Sequence, residues 1–145
     1  MHIGFTGTQR GMTEAQKRAL NKILSRLFSK YEGVKYFHHG DCVGADAEAH
    51  EIAKALGYLI FGHPPQENSK RAFCEFEESE EPYDYLYRNT RIVKCSEILI
   101  ATPEEHSEKI RSGTWSTVRR GRKYKKKILI ISPEGSVRKD DILTQ

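Results

Sequence analysis

Apolar residues recur along the chain in two alternating rhythms. Short runs at His2–Phe5, Val34–His38, Tyr58–Phe61, Ile98–Ala101 and Ile128–Ile131 are largely apolar throughout, without the alternation of a half-solvated strand. Between them, apolar positions fall three and four residues apart. After the capping residue Thr13, a long helix is marked by Ala15, Ala19, Leu20, Ile23, Leu24, Leu27 and Phe28, and Gly33 closes that unit. Ala45, Ala49, Ile52, Ala53 and Leu56 mark a second helix, with Gly57 placed to terminate it. Tyr85–Cys95 and Thr114–Tyr124 read as a third and a fourth. Gly62-His63-Pro64-Pro65 breaks the chain, and the polar, glutamate-rich stretch from Gln66 to Tyr83 is the longest irregular segment.

Strands apolar on both sides, separated by amphipathic helices, predict a parallel sheet covered on each face and linked by right-handed crossovers. The expected architecture is a three-layer, Rossmann-like α/β domain over residues 1–133, with a five-stranded, mainly parallel sheet. The tail 134–145 is expected to be frayed. In such sheets ligands sit beyond the carboxyl ends of the strands, near the point where strand order reverses. The loops after the first, second and fourth strands, and more loosely the third, therefore come under suspicion.

Composition narrows the class. With 145 residues, 37% hydrophobic and 30% charged, the chain fits one globular domain. No apolar run approaches the ~20 residues of a membrane span, and the start carries no secretion pattern. Three scattered cysteines, Cys42, Cys74 and Cys95, suit reduced thiols better than a disulfide framework. A cytoplasmic protein with no membrane partner is expected. The formal net charge of +4 suits an anionic ligand without requiring one.

Three loops have the chemistry to hold phosphate. Gly4-Phe5-Thr6-Gly7-Thr8-Gln9-Arg10-Gly11 follows the first strand, with Gly7 for close approach and Thr8 and Arg10 as hydroxyl and cation. Its spacing is neither GxGxxG nor a P-loop. His38-His39-Gly40-Asp41-Cys42-Val43-Gly44-Ala45-Asp46 follows the second, and Gly40, Asp41, Cys42 and Gly44 are its candidate binding residues. Asp41 also suits an Asx-type turn, and Asp46 a helix cap. Arg111-Ser112-Gly113-Thr114 opens the fourth helix, where Ser112, Gly113 and Thr114 either bind an anion or simply cap. A metal at His38, His39, Asp41 and Cys42 is not expected, because neighbouring strand residues point to opposite faces. Cys42 could be a thiolate activated by a helix start, although such cysteines more often just pack. The basic tract Arg119–Lys127 holds seven Lys/Arg in nine positions, which suits a helix C-terminus and only weakly suits nucleic acid.

Three segments, Gly4–Thr8, His39–Asp46 and Arg88–Thr117, together resemble the SLOG superfamily. It groups the cytokinin-activating LOG and lysine-decarboxylase-like proteins with the DNA-processing protein DprA. Arg88-Asn89-Thr90-Arg91 through Ser96-Glu97-Ile98-Leu99-Ile100-Ala101 is similar to the LOG segment in which an arginine opens a helix leading into a strand. Ser112-Gly113-Thr114 stands where the family has its glycine-threonine pair. The resemblance implies that Arg88 serves a phosphate or departing base, and it implies pairing into a homodimer. Thr117 departs from the pattern, standing where LOG enzymes place a catalytic glutamate.

The expected function is therefore binding of a phosphate-bearing nucleotide, as a sensor or sequestering protein, with no further cofactor. The alternative is a nucleotide N-glycosidic hydrolase using Arg88 with Asp41 or Asp46, and a third reading is DprA-like nucleic-acid binding.

Overall fold

The computed structural model describes residues 1–140. Its elements follow in the order β1 (His2–Gly7), α1 (Glu14–Lys30), β2 (Tyr36–His39), α2 (Ala45–Leu56), β3 (Leu59–Gly62), a short 3-10 turn (Asn68–Lys70), β4 (Glu78–Ser79), α3 (Tyr85–Cys95), β5 (Ile98–Thr102), α4 (Gly113–Lys123), β6 (Lys127–Ile131) and β7 (Val137–Lys139).

One sheet runs β4-β3-β2-β1-β5-β6-β7. Every neighbouring pair is parallel except β6 with β7. The sheet thus has seven strands rather than the five expected. β4 is a two-residue strand inside the glutamate-rich stretch, and β7 lies in the segment expected to fray. Both are exposed edge strands held by backbone pairing, so neither writes an apolar run into the sequence. Asp140 fastens the β7 end, where its carboxylate accepts from Arg122 Nε at 2.7 Å.

Side chains alternate across the sheet and divide the core in two. Ile3, Phe5, Phe37, Ile60, Ile100 and Ile131 pack with Leu20 and Leu24 of α1 and with Ala45, Ala49 and Ala53 of α2. Leu99, Ala101, Ile128 and Ile130 face the other way, onto Ile92 and Val93 of α3 and Trp115 and Val118 of α4. On that second side β2 carries histidine at position 38, where an aliphatic residue would be ordinary.

Helix ends follow the chemistry of their caps. Thr13 and Gln16 form a reciprocal capping box at the start of α1, and the Thr13 hydroxyl also donates to the Pro133 carbonyl at 2.7 Å. Gly57 ends α2 in the left-handed conformation. Strand order reverses at β1, which lies between β2 and β5. Among the described residues no helix is long and apolar enough to cross a membrane.

Candidate functional site

At this switch point the carboxyl edge opens into a cleft of about 720 Å³. Its floor is Thr6, Gly7 and Thr8 at the end of β1. Gly40, Cys42 and Asp46 form one wall, Arg88 and Asn89 of α3 another, and Ser112, Gly113 and Thr114 at the start of α4 a third. Arg10, Lys70, Lys109, Arg111 and Arg119 stand at its sides.

α4 presents its amino end to this space. The Ser112 hydroxyl accepts from the Trp115 amide at 3.2 Å, and the preceding residues Gly113 and Thr114 line the cleft. The first amides of a helix have no intrahelical acceptor and carry its positive pole, so they suit an anion. A Cβ added at Gly113 would meet nothing within 4 Å.

α2 is different. Its first amide, Ala45 N–H, donates to the Thr8 carbonyl at 3.0 Å. Gly44 has φ +89°, and a side chain there would strike the Gln9 carbonyl. Gly44 therefore joins the loops after β1 and β2 and does not line the cleft, contrary to the expectation that it contacts a ligand. Gly7 does line it, but its lack of a side chain is required by close packing against Thr102 and Ala45.

Asp41 is also displaced from its expected place. Its backbone is left-handed, with φ +57°, and the turned side chain is fully buried away from the cleft. One carboxylate oxygen accepts from Arg71 Nε at 2.6 Å and the other from the Cys74 amide at 2.9 Å. It pins the segment around Arg71–Cys74 and is not positioned to act on a cleft ligand.

Asp46 faces the cleft and is buried. It does not cap α2 with its side chain, since Oδ2 accepts instead from the Cys42 amide at 3.1 Å. Burial pushes its pKa up to about 6, while the nearby Arg88 guanidinium pulls the other way. That places Asp46 near neutrality. Burial, with Asp46 beside it, also raises the Cys42 thiol, which opposes the activated-thiolate reading.

Arg88 is only 5% exposed and is committed on several sides. It donates to the Gly40 carbonyl, to the His63 carbonyl at 3.1 Å and to Asn89 Oδ1 at 3.0 Å. Its remaining edge faces Cys42 Sγ at 3.7 Å. It fastens the ends of β2 and β3 to α3 while lining the cleft.

Several cleft residues escaped sequence reasoning. Glu104 pairs with Arg10 at 3.2 Å, and Glu105 accepts from the Trp115 indole at 3.1 Å. The Tyr85 hydroxyl is buried at the cleft without a hydrogen-bond partner. Only the glutamates' place in the long loop after β5 hinted at a role. Thr117, at the position of the LOG glutamate, is buried and donates to the Gly113 carbonyl at 3.0 Å.

No family model matches the sequence, and no curated relative does. Solved structures share the fold, among them the three that follow. The structural-genomics target TM1055 aligns with TM-score 0.64 and 11% identity over 88% of this chain and 71% of that one. The molybdenum cofactor binding protein from the phototrophic bacterium Rippkaea orientalis gives TM-score 0.68 and 20% identity over 99% and 79%. DNA processing protein A from Streptococcus pneumoniae gives 0.64 and 17% over 89% of this chain and 49% of that one. The likeness is one of fold, the Rossmann-like α/β architecture expected from the sequence.

Proposed function

We propose that this cleft binds a phosphate-bearing nucleotide or nucleotide-derived ligand, with its phosphates at the start of α4 and along Thr6–Arg10. One observation carries the reading: six basic side chains (Arg10, Lys70, Arg88, Lys109, Arg111 and Arg119) surround one cleft that holds three carboxylates, Asp46, Glu104 and Glu105. That surplus of positive charge sits at the strand-order switch, where open α/β sheets take their ligands. The volume falls within the ~300–1,000 Å³ usual for small-molecule sites. A neighbour of the same fold is a molybdenum cofactor binding protein, which supports a ligand of cofactor size.

A thermal-shift screen of mono-, di- and cyclic nucleotides, followed by calorimetry on any hit, tests this. A ligand that binds only the folded state must raise the melting temperature with concentration. Arg111→Ala or Arg119→Ala should weaken the hit while leaving the fold intact. Absence of any shift at millimolar nucleotide would overturn the proposal.

Asp46 favours a second reading, hydrolysis of a nucleotide N-glycosidic bond. A buried carboxyl with pKa about 6 beside Arg88 can hold or release a proton near neutral pH, or as carboxylate stabilise an oxocarbenium-like state. Chromatography of nucleoside monophosphates after incubation should then show free base, lost in Asp46→Asn. Intact substrate after prolonged incubation would leave binding alone.

A further inference from the structure

On the sheet face that carries α3 and α4, histidines line up from β1 and β2 to the residue just past the end of β3. His2 Nδ1 lies 2.7 Å from His38 Nε2, and His38 Nδ1 lies 2.8 Å from His63 Nε2. His38 and His63 are each 1% exposed, and both stack on Phe61, at 4.7 and 5.1 Å between ring centres. Cys95, the last residue of α3, reaches the same place. One donor atom from each of His38, His63 and Cys95 lies within 4.8 Å of the other two. Behind His63, its Nδ1 is buried without a hydrogen-bond partner, and Glu80 Oε1 stands 3.6 Å away.

We propose that His38 Nδ1, His63 Nε2 and Cys95 Sγ bind one zinc(II) ion, with the fourth position left to solvent. Two imidazoles and a thiolate are a donor set that zinc favours, with Zn–N near ~2.0 Å and Zn–S near ~2.3 Å. A tetrahedral ion at those lengths separates two nitrogens by roughly 3.3 Å, so the His38 and His63 rings need to part by only about 0.5 Å. Both rings are buried, which disfavours their charged forms. In the 2.8 Å contact between them one of the two facing nitrogens carries the shared proton, which a metal must move to that ring's other nitrogen.

The protons also have somewhere to go. A ligating imidazole carries its proton on the other nitrogen and donates it to an acceptor. For His63 the nearest acceptor is the Glu80 carboxylate, 3.6 Å away, which must close in to accept that proton. For His38 it is His2 Nδ1, on a half-exposed ring free to take either tautomer. Binding leaves each ring's proton on the nitrogen away from the metal and exchanges the Cys95 S–H bond for Zn–S, with one proton released to solvent. Burial, with Glu80 beside it, holds the Cys95 thiol protonated in the absence of metal, so binding must displace that proton. Arg91, 3.5 Å from Cys95 Sγ and ion-paired with Glu80 at 2.9 Å, opposes this only in part.

A second cluster of the same composition shows why this geometry matters. His39, His50 and Cys74 also have donor atoms within 4.8 Å of one another, on the opposite face of β2. There the Asp41 amide donates to His39 Nδ1 at 2.9 Å, so the imidazole proton sits on Nε2, pointed at His50. A metal at that nitrogen would have to remove the ring's only proton. The second cluster therefore serves as the internal control.

Untagged, metal-stripped protein titrated with cobalt(II), then competed with zinc, provides the test. One equivalent should bind with a thiolate-to-cobalt charge-transfer band that Cys95→Ser abolishes and Cys74→Ser leaves unchanged. Glu80→Gln should weaken zinc by about 10-fold or more. Alkylation of the unsubstituted protein, mapped by peptide mass spectrometry, needs no variant to fold: zinc should protect Cys95 and not Cys74. A missing thiolate band, a band that survives Cys95→Ser or vanishes in Cys74→Ser, or equal protection of both cysteines would overturn the proposal.

Discussion

Asp46 shows how burial and a nearby cation compete at a single residue. Burial raises its folded pKa to about 6 from an ordinary 3.8, despite Arg88. Between those values the folded state holds the proton more tightly than the unfolded chain, so stability falls as pH rises through that window and then levels off. The cost at neutral pH is on the order of 3 kcal/mol at most. Asp46→Asn, which keeps an acceptor for the Cys42 amide, should raise stability at pH 7. The gain should disappear near pH 4 in urea melts run across pH; a gain unchanged with pH would mean that ionisation is not its source. Asp46 was visible in the sequence only as a cap or a substitute acid. Its environment was not, because the burial comes from residues far along the chain. Asp41 shows the reverse limit, since one left-handed residue sends its carboxylate to Arg71 and Cys74 instead of the cleft.

The beginnings of α2 and α4 look alike in sequence, each a glycine beside small residues, yet they differ physically. Gly44 must hold φ +89° with the Gln9 carbonyl against it, whereas Gly113 has open space around it. Gly44→Ala should cost roughly 2 kcal/mol or more, from strain and collision together. Gly113→Ala should be neutral or mildly stabilising, since alanine exceeds glycine in helix propensity by ~1 kcal/mol. Chemical denaturation of the two variants checks the contrast, and equal losses would remove the distinction drawn between the two helix starts. All four helices and the five apolar strands could be read from periodicity. Neither the amide of Ala45 already held by Thr8 nor the polar strands β4 and β7 could, because both depend on backbone partners distant in sequence.

Across the whole molecule, β7 covers the outer edge of β6, whose Ile128, Ile130 and Ile131 are buried. Truncation before Val137 should expose that apolar edge and convert soluble protein into aggregate, read by light scattering at unchanged concentration. A truncated chain that stays monodisperse with an unaltered melting temperature would show β7 to be dispensable. The three phosphate-suited loops could be paired with one sheet edge from topology alone. The histidine row could not, because His38 meets a residue 25 positions away and Cys95 comes from another layer. Arg88 spans both regions: it lines the cleft and donates to the carbonyl of His63. A guanidinium shared in this way is a thermodynamic exchange point. If a ligand in the cleft draws Arg88 away from that carbonyl, it alters the footing of His63, and by reciprocity whatever steadies His63 changes the ligand's affinity by the same factor.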